Sequence, residues 1–224
     1  MQIPSIKTIL LHKDEDILIV NKPANLSVLP EGWEPDAPYL FKALQEIYPE
    51  LLVVHRLDKI TSGVMVFARN PEAHRVLNMQ FEKHETQKSY HAICTGLPRW
   101  DEHIARHKLR INVGHSHRTV VDNGHGKPAE THFKVLKRFA EAALLEAVPA
   151  TGRTHQIRVH AYALGHPLLG DNLYSAPPTE LIQRPALHAH TLTITHPVSA
   201  ERMSFTAPYP ADIRDVIENI RAGH

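Results

Sequence analysis

A chain of 224 residues with 42% hydrophobic and 22% charged residues has an ordinary globular composition, enough for one large domain or two small ones. No apolar run is long enough to span a bilayer, the N-terminus lacks the apolar core of a secretory signal, and the lone Cys94 can form no internal disulfide, so a reducing cytoplasm is the expected setting. The formal net charge of +1 neither demands nor excludes a nucleic-acid partner, because acids elsewhere can balance a basic face.

The first apolar run, Ile17-Leu18-Ile19-Val20, follows the acidic turn Asp14-Glu15-Asp16 and predicts a buried strand that stops at Pro23. The segment from Glu31 to Pro38 reads as loop. Leu40, Ala43, Leu44 and Ile47 keep a helical period, and Pro49 ends it. Val64 to Ala68 is a second buried strand. Asn70-Pro71 opens a helix with proline in its first turn and Ala73, Val76, Leu77 and Phe81 on its apolar side. Lys88 to Thr95 is strand-like and closes at Gly96-Leu97-Pro98.

Residues 99–126 break the pattern, with Arg99, Arg106, Lys108, Arg110 and Arg118 and little apolar mass. They read either as a solvated excursion with short strands or as a basic flap that grips phosphates. Glu130 to Phe139 and Ala142 to Val148 read as paired strands. Thr154 is placed to N-cap a helix with Ile157, Ala161 and Leu164 on one face, and Gly165 to stop it. Leu192-Thr193-Ile194-Thr195 and Arg202 to Thr206 are short strands, and Ala211 to Ile220 is a terminal helix. Strands and helices mix without βαβ regularity, which predicts one α+β domain.

Two segments carry unusual chemistry. His55-Arg56-Leu57-Asp58-Lys59-Ile60-Thr61-Ser62-Gly63 lies between the apolar runs Leu51–Val54 and Val64–Ala68. A carboxylate between strand-like runs needs a partner if buried; the plain alternative is a turn capped by that Asp. Thr151-Gly152-Arg153-Thr154-His155-Gln156-Ile157-Arg158-Val159-His160 gathers polar groups at a helix start, a position suited to anions. A partly buried Arg158 wants a carboxylate, and Asp58 is a candidate; ordinary capping and a structural ion pair are the alternative. The turn Gly165 to Tyr174, with two glycines and a proline, reads as a fixed connection.

The order of these segments resembles the RluA family of pseudouridine synthases. Val20-Asn21-Lys22-Pro23-Ala24 matches its first block, and His55-Arg56-Leu57-Asp58 with Thr61-Ser62-Gly63 matches the catalytic block. Lys88-Ser89-Tyr90 matches the Lys-x-Tyr block. Thr151 to His160 followed by Gly165 to Tyr174 match the third, and Leu187-His188-Ala189 with His196-Pro197 the last. The family usually has Gly where this chain has Asn25, the ordinary residue most tolerant of positive φ.

The resemblance implies a pseudouridine synthase fold: a mixed, largely antiparallel sheet flanked by helices, with a central catalytic cleft, residues 1–224 as a single catalytic domain, and no separate N-terminal RNA-binding domain. It implies isomerisation of uridine in transfer RNA, large-subunit ribosomal RNA or both, by a monomeric enzyme without cofactor or metal. Asp58 is then the nucleophile or base, Arg158 its ion-pair partner, and Tyr90 the residue against the uracil ring. Arg56, on the side of Asp58 by strand alternation, fills the gap left by the flipped base. Lys22, Arg153, His155, Leu187, Arg106, Lys108 and Arg110 complete the expected substrate contacts, with Leu187 beneath Tyr90. A catalytically silent RNA-binding protein on the same fold is the alternative. A metal-dependent phosphoesterase built on the eighteen histidines, such as the pairs His115/His117 and His188/His190, lacks a complete ligand set.

Overall fold

The computed structural model describes residues 5–32, 36–114 and 118–222. The chain forms two compact units, the first running to Lys88 and including Ala189–Pro208, the second comprising Ser89–His188 and the segment from Tyr209 onward. In chain order the first unit begins with a short helix α1 (Ile6–Ile9), β1 (Leu10–Lys13), β2 (Ile17–Lys22), α2 (Leu40–Gln45), β3 (Leu52–Val53), β4 (Ser62–Ala68) and α3 (Pro71–Glu82). Strand β5 (Gln87–Thr95) leads into β6 (Glu102–Val113), β7 (Arg118–Val121), β8 (Lys127–Arg138), β9 (Ala142–Pro149) and α4 (Gln156–Ala163), then a 3-10 turn at Asn172–Tyr174. Strands β10 (Leu187–Thr195) and β11 (Arg202–Thr206) precede α5 (Ala211–Ala222).

In the first unit the strand order is β1-β2-β4-β10, with β3 on β4 and β11 on β10. Every residue of β4 is buried, as are Ile17 to Val20, which explains their unbroken apolar runs. β2 and β4 are antiparallel, Ile17 opposite Ala68 and Lys22 opposite Gly63. Gly63 has φ +125, and a Cβ there would sit 2.2 Å from the Ala189 carbonyl oxygen, so only glycine allows this approach of β4 to β10. The acidic turn is built as an Asx motif: the Asp14 carboxylate accepts from the N–H groups of Asp16 and Ile17, both at 2.8 Å. Asn70 caps α3 by accepting from the Ala73 N–H at 2.8 Å, with Pro71 first in the helix. The buried Gln80 of α3 bonds both backbone groups of Thr195, at 2.7 and 2.9 Å, which docks the helix on β10.

In the second unit the order is β5-β9-β8-β6-β7. The basic stretch read as an excursion contains the twelve-residue strand β6, paired antiparallel with β8 from Glu102–Lys134 to Leu109–Lys127. Its period of two is clear: Ala105 and Leu109 are buried while Arg106, Lys108 and Arg110 are exposed. Few large apolar residues mark the inner face, and so the strand was hidden. Helix α4 sends Ile157 and Ala161 into a core with Phe133, Leu145, Leu168 and Leu187. The architecture is α+β, largely antiparallel, with a parallel bridge at Ser27–Tyr39.

Candidate active site

In the first unit, Asp58 lies in a partly buried turn between β3 and β4, where the Thr61 N–H bonds the Asp58 carbonyl at 3.0 Å. Residues 54–58 are outside any strand, so the alternation argument for Arg56 lapses; Arg56 is exposed. The turn is held from below by Lys22. Its ammonium donates to the carbonyls of Pro23 (2.9 Å), Leu26 (2.8 Å) and Lys59 (3.0 Å), and the side chain is wholly buried. Lys22 is therefore not the phosphate contact expected from sequence. A charge removed from water needs its three donors filled, and carbonyls fill them here, one being that of the residue after Asp58. Asn25 takes φ +60, as its replacement of the usual glycine predicted.

His55, in the same turn, accepts from the Val66 N–H through Nε2 at 3.1 Å and stacks on Phe81 with centroids 4.4 Å apart. Burial, aided by the Lys88 charge, pushes its pKa down to about 3. The ring is neutral and serves as a strut.

In the second unit, Arg158 is almost fully buried on α4. Its Nε and one Nη donate to the two carboxylate oxygens of Asp171, both at 2.7 Å. The partner expected from sequence was Asp58; the carboxylate bonded to Arg158 is Asp171, which is itself wholly buried. The Arg158 guanidinium also lies 5.0 Å from the centroid of Tyr174. The Tyr174 hydroxyl accepts from the Thr119 N–H and donates to the Thr119 carbonyl, each at 3.0 Å. Burial pushes this phenol above its usual value, the Thr119 N–H opposing. Asp171 follows Gly170, whose φ is +76 and whose Cβ would meet the Arg184 carbonyl at 2.3 Å. The signal available in the sequence was Gly170-Asp171 with Tyr174 three residues on.

Helix α4 starts one residue later than expected. Its N-cap is His155, at φ +54, with no side-chain capping bond; Thr154 does not cap it. Gln156 replaces the cap: its oxygen accepts from the Thr151 hydroxyl (2.6 Å) and the Arg153 N–H (3.1 Å), and its nitrogen donates to the Glu130 carbonyl (2.8 Å) and the Thr131 hydroxyl (3.0 Å). This fixes the loop carrying Arg153 and His155. The His155 Nδ1 lies 3.2 Å from the Tyr174 hydroxyl, and Arg153 Nε lies 3.4 Å from the Pro128 carbonyl.

Tyr90 stands in β5 opposite Ala147 and packs, half-buried, against the same core that holds the buried Leu187. Arg106, Lys108 and Arg110 share the outer face of β6. Arg106 pairs with Glu130 at 2.6 Å and Arg110 with Asp122 at 3.0 Å.

Among the described residues, Asp14, Asp16 and His196 group closely enough to hold a cation. The His196 Nδ1 accepts from the N–H groups of Val198 and Ser199, at 3.3 and 3.1 Å. Nε2 then carries the proton and faces Asp14 at 3.3 Å, so the lone pair a metal would need is engaged elsewhere. His115 and His117 lie outside the described residues. His188 packs edge-on to Tyr209, and His190 Nδ1 lies 3.1 Å from the Thr191 hydroxyl.

Residues 16–163 match the family model for RNA pseudouridylate synthase. The chain is 39% identical over 202 residues to the dual-specificity RNA pseudouridine synthase RluA of Escherichia coli strain K12, covering 89% of this chain and 92% of that protein. It is 37% identical over 238 residues to the ribosomal large subunit pseudouridine synthase D of Haemophilus ducreyi, covering 96% of this chain and 71% of that protein. The solved human RNA pseudouridylate synthase domain containing 1 superposes with a TM-score of 0.78 at 28% identity, covering 94% of this chain and 87% of that one. Human RNA pseudouridylate synthase domain containing 4 shares the fold, with a TM-score of 0.81 at 23% identity over 97% and 94% of the two chains. The chain belongs to the RNA pseudouridylate synthase family, and its activity is that of an RNA pseudouridine synthase, an isomerase.

Proposed function

We propose that this enzyme isomerises specific uridines in structured transfer RNA, large-subunit ribosomal RNA or both, with Asp58 as nucleophile. The observation that carries the reading is the Asp58 turn, immobilised by a buried lysine bonded to the adjacent carbonyl. A wholly buried ammonium is an expensive way to brace a loop unless the loop must hold a reacting group still.

The ionised Asp58 carboxylate attacks ribose carbon 1′ and the uracil leaves with the bonding pair on nitrogen 1. The base rotates, carbon 5 rejoins carbon 1′ and releases the carboxylate, and the proton from carbon 5 is replaced on the ring by one at nitrogen 1. Nothing is oxidised or consumed. Arg158, the cationic residue carried by the family's third block, is held rigid by its bidentate pair with Asp171. Tyr90 bears on the uracil face and helps relay the carbon 5 proton, its hydroxyl giving up its own proton as it accepts that one. Arg56, exposed beside the turn, fills the stack vacated by the flipped base. Arg153, His155, Arg106, Lys108 and Arg110 contact the RNA backbone, and Leu187 supports Tyr90. The whole chain serves as the catalytic domain, working as a monomer in the cytoplasm without cofactor. No helix among the described residues is long and apolar enough to cross a membrane.

Pseudouridine mapping of total RNA from cells with and without the protein tests this. Specific sites that disappear with the gene and return with the wild-type chain are expected; an unchanged map contradicts the reading.

A further inference from the structure

Beside the Asp58 turn, the first unit contains a cavity of about 210 Å³. It is formed by two segments, one running from Asn25 to Glu31 and one from Ala37 to Tyr39, with Lys59 closing it. The segments are tied by backbone bonds, Leu40 N–H to the Ser27 carbonyl at 2.8 Å and Phe41 N–H to the Val28 carbonyl at 3.1 Å, so the walls are preformed. The volume is below the roughly 300–1,000 Å³ of drug-sized ligand sites, which suits one heterocycle rather than a nucleotide.

The lining is divided by chemistry. Leu26, Leu29, Pro30, Pro38 and Tyr39 give apolar surface on which a ring face can lie. The polar groups come from Glu31 and Lys59, whose carboxylate and ammonium are 2.7 Å apart, and from Ser27. Ser27 Oγ is buried beside Glu31, and with Lys59 it holds the Glu31 carboxyl below its usual range, against the opposing effect of burial.

We infer that this cavity binds an unpaired guanine of the substrate RNA, flanking the uridine that is modified. Continuity with the catalytic turn supports the RNA as its source: Lys59, which lines the cavity, is the residue after Asp58, and Lys22 fixes its carbonyl. Guanine is the base whose Watson–Crick edge sets two adjacent N–H donors, for Glu31, beside a carbonyl, for Lys59. Adenine and cytosine each offer one amino group there, and uracil one imide N–H. Unpaired bases stacked on side chains and read at such edges are how proteins select single-stranded RNA. The cavity thus adds a specificity-determining site to the isomerase, and the inference rests on the catalytic reading above.

The test uses the full chain and a pool of stem-loop RNAs with a fixed loop uridine and randomised neighbours. Pseudouridines formed by wild-type protein should lie next to or within three nucleotides of guanine, at one fixed offset, about tenfold more often than of adenine. Glu31→Gln, which removes the anion, and Ala37→Trp, which fills the cavity, should reduce that ratio below about threefold. Dissociation constants for two RNAs differing only by guanine or adenine at that offset should show the same loss, a readout that survives if turnover falls. Thermal midpoints would confirm folding. Wild-type product with no base preference at any offset, or variants that keep the wild-type ratio, would overturn the inference. Absence of any pseudouridine with wild-type protein strikes instead at the catalytic reading.

Discussion

Replacing Asp171 with Asn removes the anion that faces Arg158 while almost preserving shape. Both side chains are buried, 3% and 0% exposed, so the guanidinium is left with an amide that accepts one hydrogen bond and opposes the other. Removing one member of a buried pair costs about 3–5 kcal/mol. The retained acceptor argues for the lower end, about 3 kcal/mol. For a chain of this size each kcal/mol moves the melting midpoint by about 2–4 °C, so a fall of about 6–12 °C is expected. Turnover should fall on the order of 100-fold, since an ångström of misplacement near reacting atoms costs about that much. The double variant Arg158→Met/Asp171→Leu separates the two effects. With both charges gone and side-chain shape roughly kept, the midpoint should return to within a few degrees of wild type while turnover stays at or below that of Asp171→Asn. Calorimetry with tritium release from uracil carbon 5 reads both quantities. A double variant no more stable than Asp171→Asn, or one that regains turnover, would refute the argument.

Stability should decline as pH falls from about 6.5 toward 4. Burial drives His55 to about 3 and His160 to about 4, so across that window the unfolded chain binds protons that the folded chain refuses. Each group adds up to about 1.4 kcal/mol per pH unit. Urea midpoints at pH 7, 6 and 5 should show the slope, and His160→Asn, which keeps an amide for the Thr131 hydroxyl, should flatten it; equal slopes would contradict the assignment. Replacing Arg106, Lys108 and Arg110 together with Ala should weaken RNA binding and reduce its salt dependence by up to about three contacts' worth. The ion pairs lost are exposed, each worth about 0–1 kcal/mol, so the melting midpoint should barely move; unchanged affinity and salt slope would return that face to plain solvent. Protein dialysed against chelator should retain its rate on an unmodified transcript, and a loss restored by zinc or manganese would contradict the metal-free scheme.

What could be read from the residues followed how locally each feature is encoded. β2 and β4 were legible because both faces are buried and the apolar runs are unbroken. α3 was legible from Asn70-Pro71 and its period. Asn25 was legible because only a few residue types tolerate its conformation. β6 was not, since three of its outward residues are basic and its inward ones include Ala105 and the polar His107. β1 also escaped, being short and only half-buried. The proposed site residues Asp58, Tyr90 and Arg158 were named through block order rather than through their surroundings. The burial of Lys22 and the choice of Asp171 by Arg158 depend on which backbone folds across which, and no local pattern specifies that. The carbonyls that hold Lys22 include one 37 residues away.

The most direct test of the central claim is turnover by Asp58→Asn. The amide keeps the size of the carboxylate and removes the anion proposed to attack ribose. On an RNA in which the wild-type protein forms pseudouridine, tritium release should vanish for Asp58→Asn while filter binding of that RNA stays within about threefold of wild type, a difference below about 0.7 kcal/mol. Appreciable tritium release by the Asn variant would contradict the account.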